Sequence, residues 1–429
     1  MIKYTKFFIL SILVGLIMFS CSDDFGRLEE PTIMVTRDVS ARRSFDEALQ
    51  IAQNAIGMLE GQGVTRASCK GRRISLKDTH TVRCGADTRA AEAGLDTLMY
   101  VFNFEDSLGF AVVSANRATP GLIAVTESGY YNPEERQDNV AFEALMENAK
   151  CYISGSRYIN PPIDSLNHDT LYDIVDRVWP LVQVKWGQTT YYSKYCPNGY
   201  AGCAPIAVAQ VLTYFANIDS MDITYQWRDV DKQLFDWPDI RRHRLSYIVN
   251  GVEASHLYCN VVDSLNTHNA IGRLCRQLGE IMKSNYSSPG ITGTEFDSIV
   301  SCLSFLGFSN VYKQSVHSKC FKDSLKSNHV FLVKGKSQFD IVGHVWIVDG
   351  FFEECIVAPT IYDEGGNIIV PTYIYNHINW GWNGMSNGYY LDEVFDVNNC
   401  YQLDANPYGQ MSGNRYKFTQ SLEYIDVHL

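Results

Sequence analysis

Positive charge is in short supply: 36 Lys and Arg against 48 Asp and Glu leave a formal net charge of −12 over 429 residues. Nucleic-acid binding and docking on an acidic membrane surface both need clustered basic side chains, so neither is the expected basis of function. Beyond the N-terminus no apolar run is long enough to span a bilayer. There is no CxxC or HExxH pair, and His317-Ser318-Lys319-Cys320 alone is too slight to imply a metal site. The glycines of Gly381 to Gly388 lie in a Trp-rich strand region rather than ahead of a helix, so the phosphate-binding fingerprints are missing too. No internal repeat or low-complexity tract is visible. Neither a cofactor nor a metal is expected.

What is present has ordinary globular composition, 46% hydrophobic and 20% charged, with length for two domains. Lys3 and Lys6 precede the apolar run Phe7 to Phe19, which is short for a transmembrane helix and reads as a signal peptide. It ends in Leu16-Ile17-Met18-Phe19-Ser20-Cys21, which resembles a bacterial lipobox, with Cys21 as the lipidated new N-terminus. The acidic Ser22-Asp23-Asp24 is compatible with display on the outer membrane or cell surface. Twelve cysteines at irregular spacing give no disulfide framework. Without Cys21 the number is odd, so at least one thiol is free unless it pairs between chains. A free thiol in an exported enzyme is a candidate nucleophile.

Residues 22 to about 43 read as a polar tether. Ser44-Phe45-Asp46-Glu47 is a capping box, and Ala48, Leu49, Ile51, Ala52, Ala55 and Ile56 follow at helical spacing. Residues 61 to 97 show no periodicity and read as loop. A hairpin is expected from Met99–Phe104 and Gly109–Ser114, then a strand at Leu122–Val125 and a helix from Val140 to Cys151. Gly155 to Asp169, with Pro161-Pro162, has the composition of an exposed linker. The domain boundary is placed near residue 175, and the unit beyond it is expected to begin with a helix and end in strands.

A thiol becomes a strong nucleophile where a helix N-terminus and an imidazolium stabilise its thiolate. Cys203 follows Gly202 and precedes Ala204-Pro205 and a long apolar segment in which Val208, Val211, Leu212 and Phe215 share a face. Pro205 suits a first helical turn. A small buried hydrophobe at a helix start is the competing reading. Cys196-Pro197 is a rival thiol, but Asn198-Gly199 puts it in a turn. The candidate base, His344, lies in Gly343-His344-Val345-Trp346-Ile347-Val348-Asp349-Gly350, a strand pattern closed by an Asp-Gly turn. Tyr375 to Trp382 reads as a partner strand that sets Asn379 or Trp380 against the imidazole. His377 on that strand is a rival base.

The blocks Lys185-Trp186-Gly187-Gln188, Gly202 to Gln210, Gly343 to Gly350 and Asn379-Trp380-Gly381-Trp382-Asn383-Gly384 together resemble the streptopain family of papain-like cysteine peptidases, in order and in spacing. The resemblance implies an α+β chain: a papain-like cysteine peptidase domain preceded by a small α+β propeptide domain. It implies Cys203 as nucleophile, His344 as general base and acid, and Gln188 with the Ala204 N–H as oxyanion donors. Asn379 or Trp380 would orient the imidazole, and which of them is the third member stays open. Gly109 to Asn116 and Leu122 to Val125 look like the family's propeptide, with Asn116 as a residue of interest. Ala204-Pro205 and Asn383 depart from the usual pattern. The implied layout is a lipoprotein signal over 1–21, an inhibitory propeptide over 22–175 and a peptidase over 176–429. The implied partners are protein or peptide substrates, the chain's own propeptide and, through Cys21, the outer membrane. A catalytically inactive binding or inhibitor lipoprotein on the same fold is the alternative.

Overall fold

Ser44 and Glu47 cap the first helix reciprocally, Ser44 N–H donating to Glu47 Oε2 at 2.7 Å and Glu47 N–H to Ser44 Oγ at 3.3 Å. The expected capping box is therefore formed, and helix α1 follows over Phe45–Glu60 with Ala48, Ala52 and Ala55 buried. The computed structural model describes residues 42–60, 71–83, 97–135, 137–155, 171–215, 262–317, 319–335, 343–358, 361–362, 368–369, 371–395 and 422–428. The signal segment, Cys21, residues 22–41 of the tether and residues 156–169 of the linker lie outside these. The last residue assigned to the tether does not behave as one. Arg43 is buried, and its guanidinium donates to the carbonyls of Ser114, Asn116 and Thr119 at 3.2, 2.6 and 2.7 Å.

Strand β1 (Ile74–Arg83) occupies part of the stretch read as loop. It is half-exposed and sits at the edge of the sheet, so its face needs no apolar alternation and left none in the sequence. The expected hairpin is β2 (Thr97–Phe104) and β3 (Phe110–Ser114), and β4 (Leu122–Thr126) and α2 (Val140–Gly155) complete the N-terminal part. All residues of β2, β3 and β4 are buried, which is the burial of a strand covered on both faces.

The boundary placed near 175 falls inside a strand, β5 (Leu171–Val178), so the second part opens on extended chain rather than on a helix. Then come α3 (Cys203–Phe215), α4 (Val262–Ile281), the short pair β6 (Asn285–Ser288) and β7 (Ile291–Gly293), and α5 (Phe296–Phe305). Strand β8 (Lys313–Ser315), helix α6 (Lys322–Lys326), β9 (Val330–Gly335) and β10 (His344–Ala358) follow. The chain continues through β11 (Ile361–Tyr362), β12 (Ile368–Ile369), β13 (Thr372–Asn379), β14 (Gly388–Leu391) and β15 (Glu423–Val427).

Eleven of the described strands join one sheet in the order β1-β2-β3-β4-β14-β13-β10-β9-β15-β8, with β5 also on β10. The N-terminal hairpins and the C-terminal strands thus share a sheet, through Thr126, Val125 and Ala124 opposite Gly388, Tyr389 and Tyr390. Each strand would otherwise end its own sheet with unpaired N–H and C=O groups. Two cores flank the sheet, and β10 feeds both. Trp346 and Val348 enter the core shared with α1 and α2, while Val345 and Ile347 enter the core around α3 and α4.

Strand β10 runs straight through Asp349-Gly350, where a turn was expected. Asp349 is fully buried, its Oδ2 accepting from Val182 N–H at 2.8 Å and its Oδ1 lying 2.6 Å from His377 Nδ1. A Cβ on Gly350 would stand 2.8 Å from Val178 O. The dipeptide is thus a crossing point with the chain of Val178 to Val182, marked by a register shift against β13. Side-chain burial overrode the local turn signal.

Candidate active site

Helix α3 begins at Cys203 itself, with Pro205 in its first turn as expected, and every residue from Ala204 to Thr213 is buried. Gly202 ahead of it has φ +94°, and a Cβ there would lie 2.9 Å from Thr292 Cγ2. A side chain at that position is disfavoured by both conformation and space. The chain therefore turns sharply onto the helix and leaves Cys203 half-buried at its N-terminal end.

Burial pushes the Cys203 thiol up from its ordinary range, and the backbone N–H groups of Val345, Ala204 and Cys203 itself pull it back down. Those groups face the sulfur, so the thiol lies against the residue that follows His344. The Cys196 thiol is also pushed up by burial, beside the Tyr286 hydroxyl, and its backbone is held in turns by Cys196 N–H to Ser193 O and Gly199 N–H to Cys196 O at 2.8 and 3.1 Å. It is at no helix start.

His344 is buried, and its Nε2 is 3.1 Å from the main-chain oxygen of Trp380. A carbonyl can only accept, so Nε2 carries the hydrogen and a neutral ring keeps its lone pair on Nδ1. The rings of Trp346 and Trp382 lie 6.3 and 6.4 Å from the imidazole. β10 and β13 pair as expected, Ile347 opposite Asn379 and Val348 opposite Ile378. That register brings Trp380 beside the start of β10.

The two candidates for the third member are engaged in different ways. Asn379 donates to Val184 O and Gln210 Oε1 at 2.9 and 3.1 Å, and its Oδ1 accepts from Gly381 N–H at 3.1 Å. The Trp380 indole donates to Ser386 O and Tyr390 Oη at 3.1 and 3.2 Å. The imidazole meets the carbonyl of Trp380, a group that no side-chain motif encodes. Gln210 is likewise new: fully buried on α3, its Oε1 also accepts from Trp186 N–H at 2.9 Å. Its place on a buried helix among apolar residues was the one available sign.

Gln188 is buried, and its main-chain oxygen accepts from Ala201 N–H at 2.8 Å, two residues before the nucleophile candidate. Its Nε2 is buried with no hydrogen-bond partner among the described residues. An orphan donor of this kind costs about 1–3 kcal/mol and calls for an explanation. Asn383 has φ +55°, a backbone region that glycine and asparagine adopt most readily, and its side chain stands over Gly187, where a Cβ would have no room.

His377 is enclosed by charge. Asp349 Oδ1 is 2.6 Å from Nδ1 and Glu127 Oε1 is 3.6 Å from Nε2, while Glu127 Oε2 is 2.8 Å from Lys185 Nζ. Burial alone would lower the His377 pKa, but the two carboxylates raise it to about 9. Burial would raise Glu127, yet Lys185 and His377 hold it well below the usual carboxylate range. His377 is thus a structural cation rather than a rival base.

The N-terminal part reaches this region. Phe142 of α2 meets Trp380 edge-on at 6.3 Å. Ser128 Oγ donates to Gly384 O at 2.5 Å, and Ser386 N–H to Ser128 O at 3.2 Å. Tyr200 is pushed up to about 12 by burial, then by Cys203 and by Asp138 just ahead of α2. Asn116 serves its own part of the chain, accepting from Ala118 N–H at 3.0 Å and donating to Ile153 O at 2.8 Å.

Residues 186–390 match the family model of the peptidase C10 family. They form a C10 cysteine peptidase domain. Residues 36–153 match the model described as Spi protease inhibitor. The chain is therefore a cysteine endopeptidase made as a zymogen, with an inhibitory domain ahead of a papain-like C10 domain in an α+β fold. No curated relative matches it. A solved fragment of Prevotella intermedia prointerpain A, carrying a cysteine-to-alanine substitution, is similar at 20% identity and a TM-score of 0.49. The match covers 81% of this chain and 98% of that one.

Proposed function

We propose that Cys203 and His344 are the catalytic pair of this C10 peptidase, with Gln188 and the Ala204 N–H as oxyanion donors. The observation that carries the assignment is a thiol that starts a helix and faces the backbone next to His344, together with a buried, partnerless Gln188 Nε2 on a residue whose main chain is bonded to Ala201, two residues ahead of that thiol. His344 Nδ1 takes the thiol proton, and the sulfur attacks the peptide carbonyl carbon. The negative charge on its oxygen falls to the Gln188 and Ala204 N–H groups. Collapse expels the amine, which receives the proton from His344, and leaves a thioester on Cys203. Water, deprotonated by His344, then hydrolyses the thioester. Trp380 orients the ring through its carbonyl, and Asn379 supports that segment.

The proposed layout is a lipoprotein signal over 1–21 with Cys21 lipidated, an inhibitory propeptide over 22–175, and the peptidase over 176–429. Export and anchoring of the zymogen follow from that reading, as does release of the peptidase on cleavage between about residues 155 and 180. The deciding experiment compares wild type with Cys203→Ala and Cys196→Ala. Only Cys203→Ala should abolish hydrolysis and self-processing, and a thiol-reactive epoxide should label Cys203 quickly in processed protein and slowly in the zymogen, where burial keeps the thiol protonated. Loss of activity in Cys196→Ala with retention in Cys203→Ala would reverse the assignment.

A further inference from the structure

At the far end of β9 from the catalytic residues, three side chains with metal-binding atoms converge. Asp426 is on β15, opposite Phe331, and the pairing continues to Val427 opposite Val330. The next step of that register sets His428 against His329. Asp426 and His428 are two residues apart on a strand and so point the same way, and His329 stands across from them on the same face. The burial pattern agrees: Ile425 and Val427 enter the α3 core, while Phe331 and Tyr424 line the other face. An x-Asp-x-His strand end with a cross-strand His delivers three ligands to one point without needing a loop.

The distances suit an ion. His329 Nδ1 is 2.9 and 3.1 Å from the two oxygens of Asp426, and His428 Nδ1 is 3.4 Å from Oδ1. Ligand atoms around a tetrahedral zinc with bonds of 2.0–2.1 Å are about 3.3 Å apart. The two imidazoles are stacked at 4.2 Å, within 9° of parallel, so one cation can reach both Nδ1 atoms after small rotations of the rings. All three side chains remain 17–25% exposed, which leaves an approach from solvent and room for a water as fourth ligand. A site of two histidines and one carboxylate favours a borderline cation over the hard ions that prefer all-oxygen shells.

We propose that His329, Asp426 and His428 bind one divalent transition-metal ion of the zinc type, which clamps the terminal strand β15 to β9. The role is structural: Gly335, the partner of His344, lies six residues on from His329, or about 20 Å of strand. An ion held there ties β15 to β9 and resists their separation.

The test uses full-length, tag-free Cys203→Ala protein, so that the candidate nucleophile binds no metal, stripped with chelator and titrated with zinc chloride. One zinc per chain, with a rise in Tm, is expected. His428→Ala and Asp426→Asn should each weaken binding by at least about tenfold and remove the rise, since even groups behind the ligands are worth that much. Cobalt(II) on the unaltered Cys203→Ala background gives a readout independent of how those variants fold. A ligand-field spectrum without thiolate charge transfer supports the site, and a thiolate band places the ion on cysteine and overturns it. No zinc-dependent rise in Tm, or an equal rise in the two variants, also overturns it.

Discussion

The ring of Phe142 meets that of Trp380 edge-on at 6.3 Å and 85°, so the inhibitory domain rests on the residue whose carbonyl is hydrogen-bonded to His344. Truncating a buried phenylalanine costs about 3–5 kcal/mol, and here much of the lost packing lies between α2 and the Trp380 segment. Phe142→Ala should therefore speed self-processing of the zymogen several-fold. Size analysis against wild type reads the effect, and unchanged or slower processing would show that α2 does not restrain the site.

The set of half-buried Lys185 and Glu127 with buried His377 and Asp349, and Tyr389 beside it, joins the inhibitory domain to the peptidase. The folded pKa of His377, raised from 6.5 to about 9, means that its contribution is complete below about pH 6.5 and is lost as pH rises through 9. Glu127 has the opposite sign: its contribution is present above pH 4.5 and is lost only well below it. The junction should be firmest near pH 5–6.5 and should loosen toward pH 9. In Cys203→Ala protein, Tm should fall from pH 7 to 9 more steeply than in the Glu127→Gln double variant. Parallel slopes in the two proteins would show that Glu127 and His377 do not hold the junction together.

Gln188→Ala should reduce kcat about 10²–10³-fold with little change in KM, because the donor acts on charge that develops only in the transition state. Its Tm should stay level or rise, since the substitution removes a buried donor that has no partner in the resting protein. A large fall in Tm would instead make Gln188 a structural residue.

Asn379→Ala separates support from orientation. It leaves the buried acceptors Val184 O and Gln210 Oε1 short of a donor, which should cost about 1–3 kcal/mol of stability. The imidazole keeps its bond to the Trp380 carbonyl, so the pH dependence of kcat/KM should shift little. A displaced acid limb with unchanged Tm would make Asn379 the direct partner of His344.

Several features could be read before any fold was known because they depend on neighbours in sequence. The Ser44–Glu47 cap needs only three residues, the start of α3 follows from Gly202, Cys203 and Pro205, and β10 and β13 carry their own strand patterns. The failures were local signals answered by distant groups. Asp349-Gly350 makes no turn because Val182, His377 and Val178 claim it, and β1 escaped notice because an edge strand can be polar.

The chain's own order of residues determined that a thiol would sit at a helix start and that a histidine would lie on a strand. Tertiary structure alone decided that the Trp380 carbonyl holds His344, that Gln188 keeps a donor unspent, and that both domains share one sheet. It also brought His329 to Asp426 and His428 across almost a hundred residues. Backbone groups carry no sequence signature, and strand pairing between distant segments depends on which edges remain unpaired once the rest has folded.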